Sequence, residues 1–124
     1  MTLVVGREGD AVVVVVGGEI DLVTGARLGD TLTAELTAGP KVLVVDLEQV
    51  RFFTSVGLTA LALAQRMAQE RGVDLRVVAT TRTTLRPLQI TGMVDDLAIY
   101  PSRTDALSGC SGAEPGSVPP QRSE

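Results

Sequence analysis

Five consecutive valines, Val12 to Val16, constrain this chain more than any other feature. β-Branched side chains favour extended backbone. A valine run with no polar alternation fits a strand covered on both faces, as at the centre of a domain. Thr2–Val5 is a second such run, separated from the first by Gly6-Arg7-Glu8-Gly9-Asp10. That spacer is rich in turn formers, so the two runs are expected to pair as an antiparallel hairpin. Gly17-Gly18 breaks the valine run, and Glu19–Leu22 follows as a short extended piece.

Helical periodicity begins next. Thr24 is the expected cap of a helix over Thr24–Ala38, with Leu28, Leu32 and Leu36 as a narrow buried stripe at i, i+4, i+8. Gly25 and Gly29 each cost helix propensity, roughly 1 kcal/mol relative to alanine, and suggest close approach of this helix to the sheet. Gly39-Pro40 ends it. Lys41–Asp46 is expected as a buried strand ending in a carboxylate, and Ser55–Arg71 as a second helix with Gly72 at its C′ position. Leu75–Ala79 is a further strand, and Thr81–Gly92 a short helix in which Pro87 is tolerable only near the first turn. Asp96–Tyr100 is a short edge strand closed by Pro101, and Ser102 caps a last brief helix to Leu107. Strands alternating with helices imply a largely parallel sheet after the hairpin.

The expected fold is α/β, a mixed sheet of four to five strands with four helices mostly on one face. One domain over residues 1–107 suits the length. From Ser108 the composition turns to Gly, Ser, Pro and Glu, so 108–124 is expected as a disordered tail that holds Cys110. Aromatics are only 2% of the chain, which argues against base-stacking platforms, and a net charge of −4 leaves no basic footprint for nucleic acid. With no histidine and one cysteine, zinc ligation, histidine acid–base catalysis and internal disulfides are excluded. No segment has the roughly 20 apolar residues of a membrane span, and no signal peptide is evident, so a cytoplasmic domain without cofactor or membrane partner is expected.

Chemistry concentrates where the mid-chain strand gives way to the second helix. On a helical wheel, Val56, Gly57, Ala60, Leu61, Leu63, Ala64, Met67 and Ala68 fall on one arc of roughly 160°, the expected buried face. Ser55, Leu58, Thr59, Ala62, Gln65, Arg66, Gln69 and Glu70 occupy the other. Leu58 and Ala62 within a polar rim of Thr59, Gln65, Arg66 and Gln69 have the layout of a protein-docking face, although scattered exposed apolar residues are also ordinary. Ser55 reads as an N-cap whose hydroxyl accepts a first-turn N–H. A helix start also tolerates phosphate on that residue, and phosphorylation would add about −1.5 to −2 charges to the face.

The run Asp46-Leu47-Glu48-Gln49-Val50-Arg51-Phe52-Phe53-Thr54-Ser55-Val56-Gly57-Leu58 resembles the signature of STAS domains, specifically bacterial anti-sigma factor antagonists. Gly18-Glu19-Ile20-Asp21 resembles their second motif, and Leu97-Ala98-Ile99-Tyr100-Pro101-Ser102 their usual end. The resemblance implies a protein that binds an anti-sigma factor of the GHKL serine kinase type and so releases a sigma factor. It implies Ser55 as the phosphoacceptor, with Thr54 and Thr59 as neighbouring alternatives, and a PP2C-type phosphatase that resets the switch. Asp21, Thr24, Thr54, Val56 and Gly57 would surround the phosphosite. Two positions depart from the pattern: Thr54 stands where an aspartate is typical, and Val56 where a second hydroxyl is.

Three other readings stand beside this one. A receiver domain would use Asp46 as a strand-end acceptor, but it needs an acidic pair after the first strand and a late lysine, and Lys41 is the only lysine. A metal-dependent phosphoryl enzyme would pair Asp21 with Asp46, yet no phosphate-cradling glycine loop accompanies them. The same fold also suits a non-phosphorylated interaction or sensory module that binds another protein or a small ligand.

Overall fold

In the computed structural model, which describes residues 1–108, Gly9-Asp10 joins β1 (Thr2–Glu8) to β2 (Ala11–Ile20) in the expected antiparallel hairpin. The proposed tail and Cys110 lie outside the described residues. Gly17 and Gly18 do not end the valine strand: β2 runs on to Ile20. The reason lies in its neighbour. Strand β3 (Val42–Phe53) is far longer than its expected end at Asp46, and two register irregularities let it follow β2 to the end, so that Ile20 pairs with Phe53. A Cβ on Gly17 would fall 2.7 Å from Thr2 Oγ1 of β1 and 3.3 Å from Gln49 Cβ of β3, so glycine eases the packing of all three strands there. β-Bulges of this kind break strict alternation while keeping the strands paired.

Between them lies α1 (Leu22–Ala38); α2 (Ser55–Arg71), β4 (Asp74–Val78), α3 (Arg82–Ile90), a single 3₁₀ turn (Met93–Asp95), β5 (Ala98–Tyr100) and α4 (Arg103–Leu107) complete the chain. The sheet order is β1-β2-β3-β4-β5, antiparallel only at β1. Gly39 and Gly72 close α1 and α2 with φ of 76° and 72°, the left-handed conformation that glycine adopts without strain. Pro87 sits at the sixth of nine residues in α3 rather than in its first turn. It forgoes one intrahelical bond, and full burial of Leu88 beside it helps offset that loss.

The valine run is covered on both sides, as its lack of alternation implies. Val12, Val14 and Val16 join Leu43, Val45, Leu75 and Val77 in a main core with Leu28, Leu32 and Leu36 of α1, Leu61 of α2 and Leu88 of α3. Val13 instead joins Val42, Val44, Val78 and Tyr100 beneath Ala106 of α4. Three helices therefore cover one face and the short α4 covers part of the other. No helix among the described residues is long and apolar enough to cross a membrane.

Candidate functional site

Strands β2 and β3 run parallel and finish level with each other, so the two following helices start side by side. Asp21, not Thr24, caps α1: its Oδ1 accepts from the amides of Val23 (3.1 Å) and Thr24 (3.0 Å). Thr24 is the other half of a capping box, its hydroxyl accepting from the Asp21 amide at 2.8 Å. These bonds, chiefly those from the Thr24 amide and hydroxyl, hold the Asp21 carboxyl below its ordinary value of 3.8. A depressed carboxyl contributes stability that is complete above its ordinary value and fades as pH falls through the lowered one. The stability difference between wild type and Asp21→Asn is therefore expected to be full at neutral pH and to shrink below about pH 4. Urea midpoints taken across that interval check it.

At α2 the capping position belongs to Thr54, and Ser55 is the first residue inside the helix rather than its cap. The Thr54 carbonyl accepts from the amides of Gly57 (3.0 Å) and Leu58 (3.2 Å). Its hydroxyl turns away from the helix and donates to the Ile20 carbonyl at 2.9 Å. That bond ties the start of α2 to the end of β2. No side chain caps α2, and Ser55 is exposed with its hydroxyl free of hydrogen bonds among the described residues. Thr59 is exposed one turn further on.

The neighbours of Ser55 are steric rather than polar. Val56 is half-buried against Gly25 of α1, where any Cβ would collide with the valine side chain. Gly25 thus serves the contact between α1 and α2, not only the approach to the sheet, whereas nothing lies within 4 Å of a Cβ built on Gly29. Gly57 lies under the Phe53 ring, and a Cβ there would fall 2.5 Å from Cε1 and 2.9 Å from Cδ1. The ring, the glycine and the Thr54–Ile20 bond together set where the first turn of α2 sits.

The outward face of α2 differs from the wheel at two leucines. Leu58 is half-buried and packs against the main core, while Leu63, expected inside, is 54% exposed. A wheel treats burial as one arc, but α2 is flanked by α1 on one side and by the 3₁₀ turn on the other, so flanking positions depend on those neighbours. Ala62, Arg66 and Gln69 are exposed as expected. They line a cavity of about 280 Å³ with Gln65, Met93, Asp96 and Leu97. Gln65 is half-buried, and its Nε2 donates to the Asp96 carbonyl at 2.7 Å. The wall formed by Met93, Asp96 and Leu97 was not legible from sequence: it lies about thirty residues downstream of Gln65, and no local pattern links the two.

Asp46 belongs to a different part of the molecule. It lies within β3 and on the α4 side, where it accepts from Arg103 Nε (3.1 Å) and the Glu48 amide (2.9 Å). Register sets it opposite Val15, six residues before Asp21 and so about 20 Å from it along the strand. The two aspartates therefore do not form a carboxylate pair. No group of three or more potential metal ligands occurs among the described residues.

Residues 2–106 match the STAS domain family. Over 113 residues the chain is 34% identical to the anti-sigma-F factor antagonist RsfB of Mycobacterium tuberculosis, covering 90% of this chain and 91% of that protein. A crystal structure of an anti-sigma factor antagonist from Mycobacterium paratuberculosis superposes with a TM-score of 0.80 at 37% identity, over 86% of this chain and 90% of that one. The fold alone is shared with the Bacillus cell fate determinant SpoIIAA in its phosphorylated form, at TM-score 0.67 and 15% identity over 86% and 96% of the two chains. The chain belongs to the STAS domain family, among the relatives named anti-sigma factor antagonists.

Proposed function

We propose that this protein is an anti-sigma factor antagonist: it binds an anti-sigma factor through the outward face of α2 and thereby frees a sigma factor. The observation that carries the reading is the likeness to RsfB along 90% of the chain. The shape of α2 supports it. Ala62, Arg66 and Gln69 form an accessible strip beside the groove walled by Met93 and Asp96. An apolar centre with polar margins is the composition of a transient protein interface.

Ser55 is the proposed switch, phosphorylated by an anti-sigma factor of the GHKL kinase type and restored by a PP2C-type phosphatase. Its hydroxyl is exposed and unbonded, whereas that of Thr54 is half-buried and engaged with Ile20. A phosphoryl group there would bring about −1.5 to −2 charges to the edge of the docking strip while leaving the core untouched. Thr59 is the remaining exposed alternative.

Calorimetry with the cognate anti-sigma factor tests the binding surface. Ala62→Asp places a charge in the strip on a solvent-facing position, and binding is expected to weaken at least about tenfold, or 1.4 kcal/mol, with an unchanged melting point. Full affinity in the folded variant would move the interface elsewhere. For the switch, intact-mass analysis after incubation with the kinase and ATP should show one added phosphate that Ser55→Ala abolishes. Retention of the phosphate in Ser55→Ala would assign it to another hydroxyl.

A further inference from the structure

The outer edge of β1 has no strand partner among the described residues. The geometry points to this edge as a twofold interface between two copies of the chain, joined by antiparallel β1–β1 pairing. The phase of the β1–β2 hydrogen bonds decides which residues face outward. Gly9-Asp10 is a two-residue connection closed by the Glu8–Ala11 pair, so Glu8, Gly6, Val4 and Thr2 direct their backbone bonds at β2. Leu3, Val5 and Arg7 therefore turn their N–H and C=O groups outward.

That edge carries little to discourage pairing. Proline, charge and bulges are the usual protections of an edge strand. Strand β1 has no proline, keeps its charges at Arg7 and Glu8, and pairs with β2 without a register shift. Val4 and Val5 are 61% and 43% exposed, on opposite faces of the sheet.

A second copy fits because the strand complements itself. In a continuous antiparallel sheet, opposed residues share a face, so only alternate registers are open, and the outward-facing residues must meet one another. One register sets Val4 opposite Val4 of the partner subunit and Leu3 opposite Val5 of the partner subunit. Each large apolar side chain then meets another, and Thr2 faces a glycine. One step along in one direction would set Leu3 against an arginine and Thr2 against a glutamate, and one step in the other would set Val4 against a threonine. Apolar pairing selects the first. Leu3 already packs on the main core, so its contact with the partner's Val5 extends that core across the axis.

The pairing also closes. The opposite edge, β5, is three residues long and followed by Pro101, so it offers little template for a third copy. Helix α2 packs over β3 and β4, away from β1, so both docking faces stay open in the dimer.

Sedimentation of the full chain from about 10 μM to about 1 mM tests it, a range suited to an interface at the small end of specific ones. The expected mass rises from 13.0 kDa towards twice that value. Val5→Pro removes an outward N–H that β2 does not use, so it should give a folded monomer throughout; Val5→Lys serves if the proline variant fails to fold. In a Cys110→Ser background, Val4→Cys should cross-link under mild oxidation, because non-hydrogen-bonded antiparallel pairs lie about 4.5 Å apart at Cα, within disulfide reach. A monomeric wild type at the highest concentration would overturn the proposal. So would a dimer that persists in folded Val5→Pro, or Val4→Cys that fails to cross-link under conditions where wild type is dimeric.

Discussion

Gly57→Val is expected to lower stability by about 1–3 kcal/mol, the usual range for overpacking a well-filled site. The melting point should fall by roughly 5–15 °C in a domain of this size. The added side chain would enter the space of the Phe53 ring, whose Cε1 lies 2.5 Å from the position of a Cβ. Gly57→Ala is a graded companion: alanine recovers roughly 1 kcal/mol of helix propensity, so its net cost should be smaller. The ring is half-buried and can yield by swinging outward, which sets the lower bound for both variants. Movement of Phe53 would also shift the start of α2, so Gly57→Val should bind the anti-sigma factor more weakly than its residual folded fraction predicts. Thermal melts and calorimetry on the same preparation separate the two effects. An unchanged midpoint would mean that the ring does not hold the junction.

Arg76→Ala is expected to cost about 2–3 kcal/mol and to loosen α4. Arg76 is a buried cation, 6% exposed, on the face of the sheet opposite α1, α2 and α3. Its Nη2 lies 2.7 Å from Asp74 Oδ2, and its Nη1 donates to the carbonyls of Ala106 (2.7 Å) and Ser108 (3.2 Å). The guanidinium also lies over the Tyr100 ring, 5.7 Å from its centroid. Truncation leaves the Ala106 carbonyl without that donor in a buried setting, which accounts for most of the cost. The ion pair contributes less, because half of the Asp74 side chain is exposed and water can replace the arginine there. Urea unfolding should show the lower midpoint, and hydrogen exchange should accelerate first in residues 103–108. Binding through α2 should survive under native conditions, since α4 lies on the other face.

Much of the scaffold was legible because its signals are local. Val12–Val16 announced a strand covered on both faces, and Leu28, Leu32 and Leu36 marked the buried stripe of α1. Ser55–Arg71 was bounded correctly, with Gly72 closing it in the left-handed conformation. The errors occur where a distant segment decides the outcome. Asp46 reads as a strand end because a carboxylate closes the apolar run there, yet pairing with Gly17–Ile20 carries β3 on to Phe53. Thr24 resembled a cap because hydroxyl residues favour that position, but Asp21, three residues beyond Gly18, outcompetes it with a carboxylate that accepts two backbone amides.

The same division runs through the functional stretch. Sequence alone determined that an exposed-hydroxyl candidate, Ser55, stands where a strand meets a helix, and that Ala62, Arg66 and Gln69 share an outward face. Those properties depend on residue type and on helical spacing within one segment. Only the tertiary structure decided that Thr54 is a tether to Ile20, that Val56 fills the notch left by Gly25, and that Phe53 lies over Gly57. It also exchanged the burial of Leu58 and Leu63 and supplied Met93, Asp96 and Leu97 as the far wall of the groove. The physical reason is the range of the forces involved. Backbone propensity and periodicity act over a few residues, whereas steric exclusion and side-chain hydrogen bonds act between whatever segments the sheet brings together.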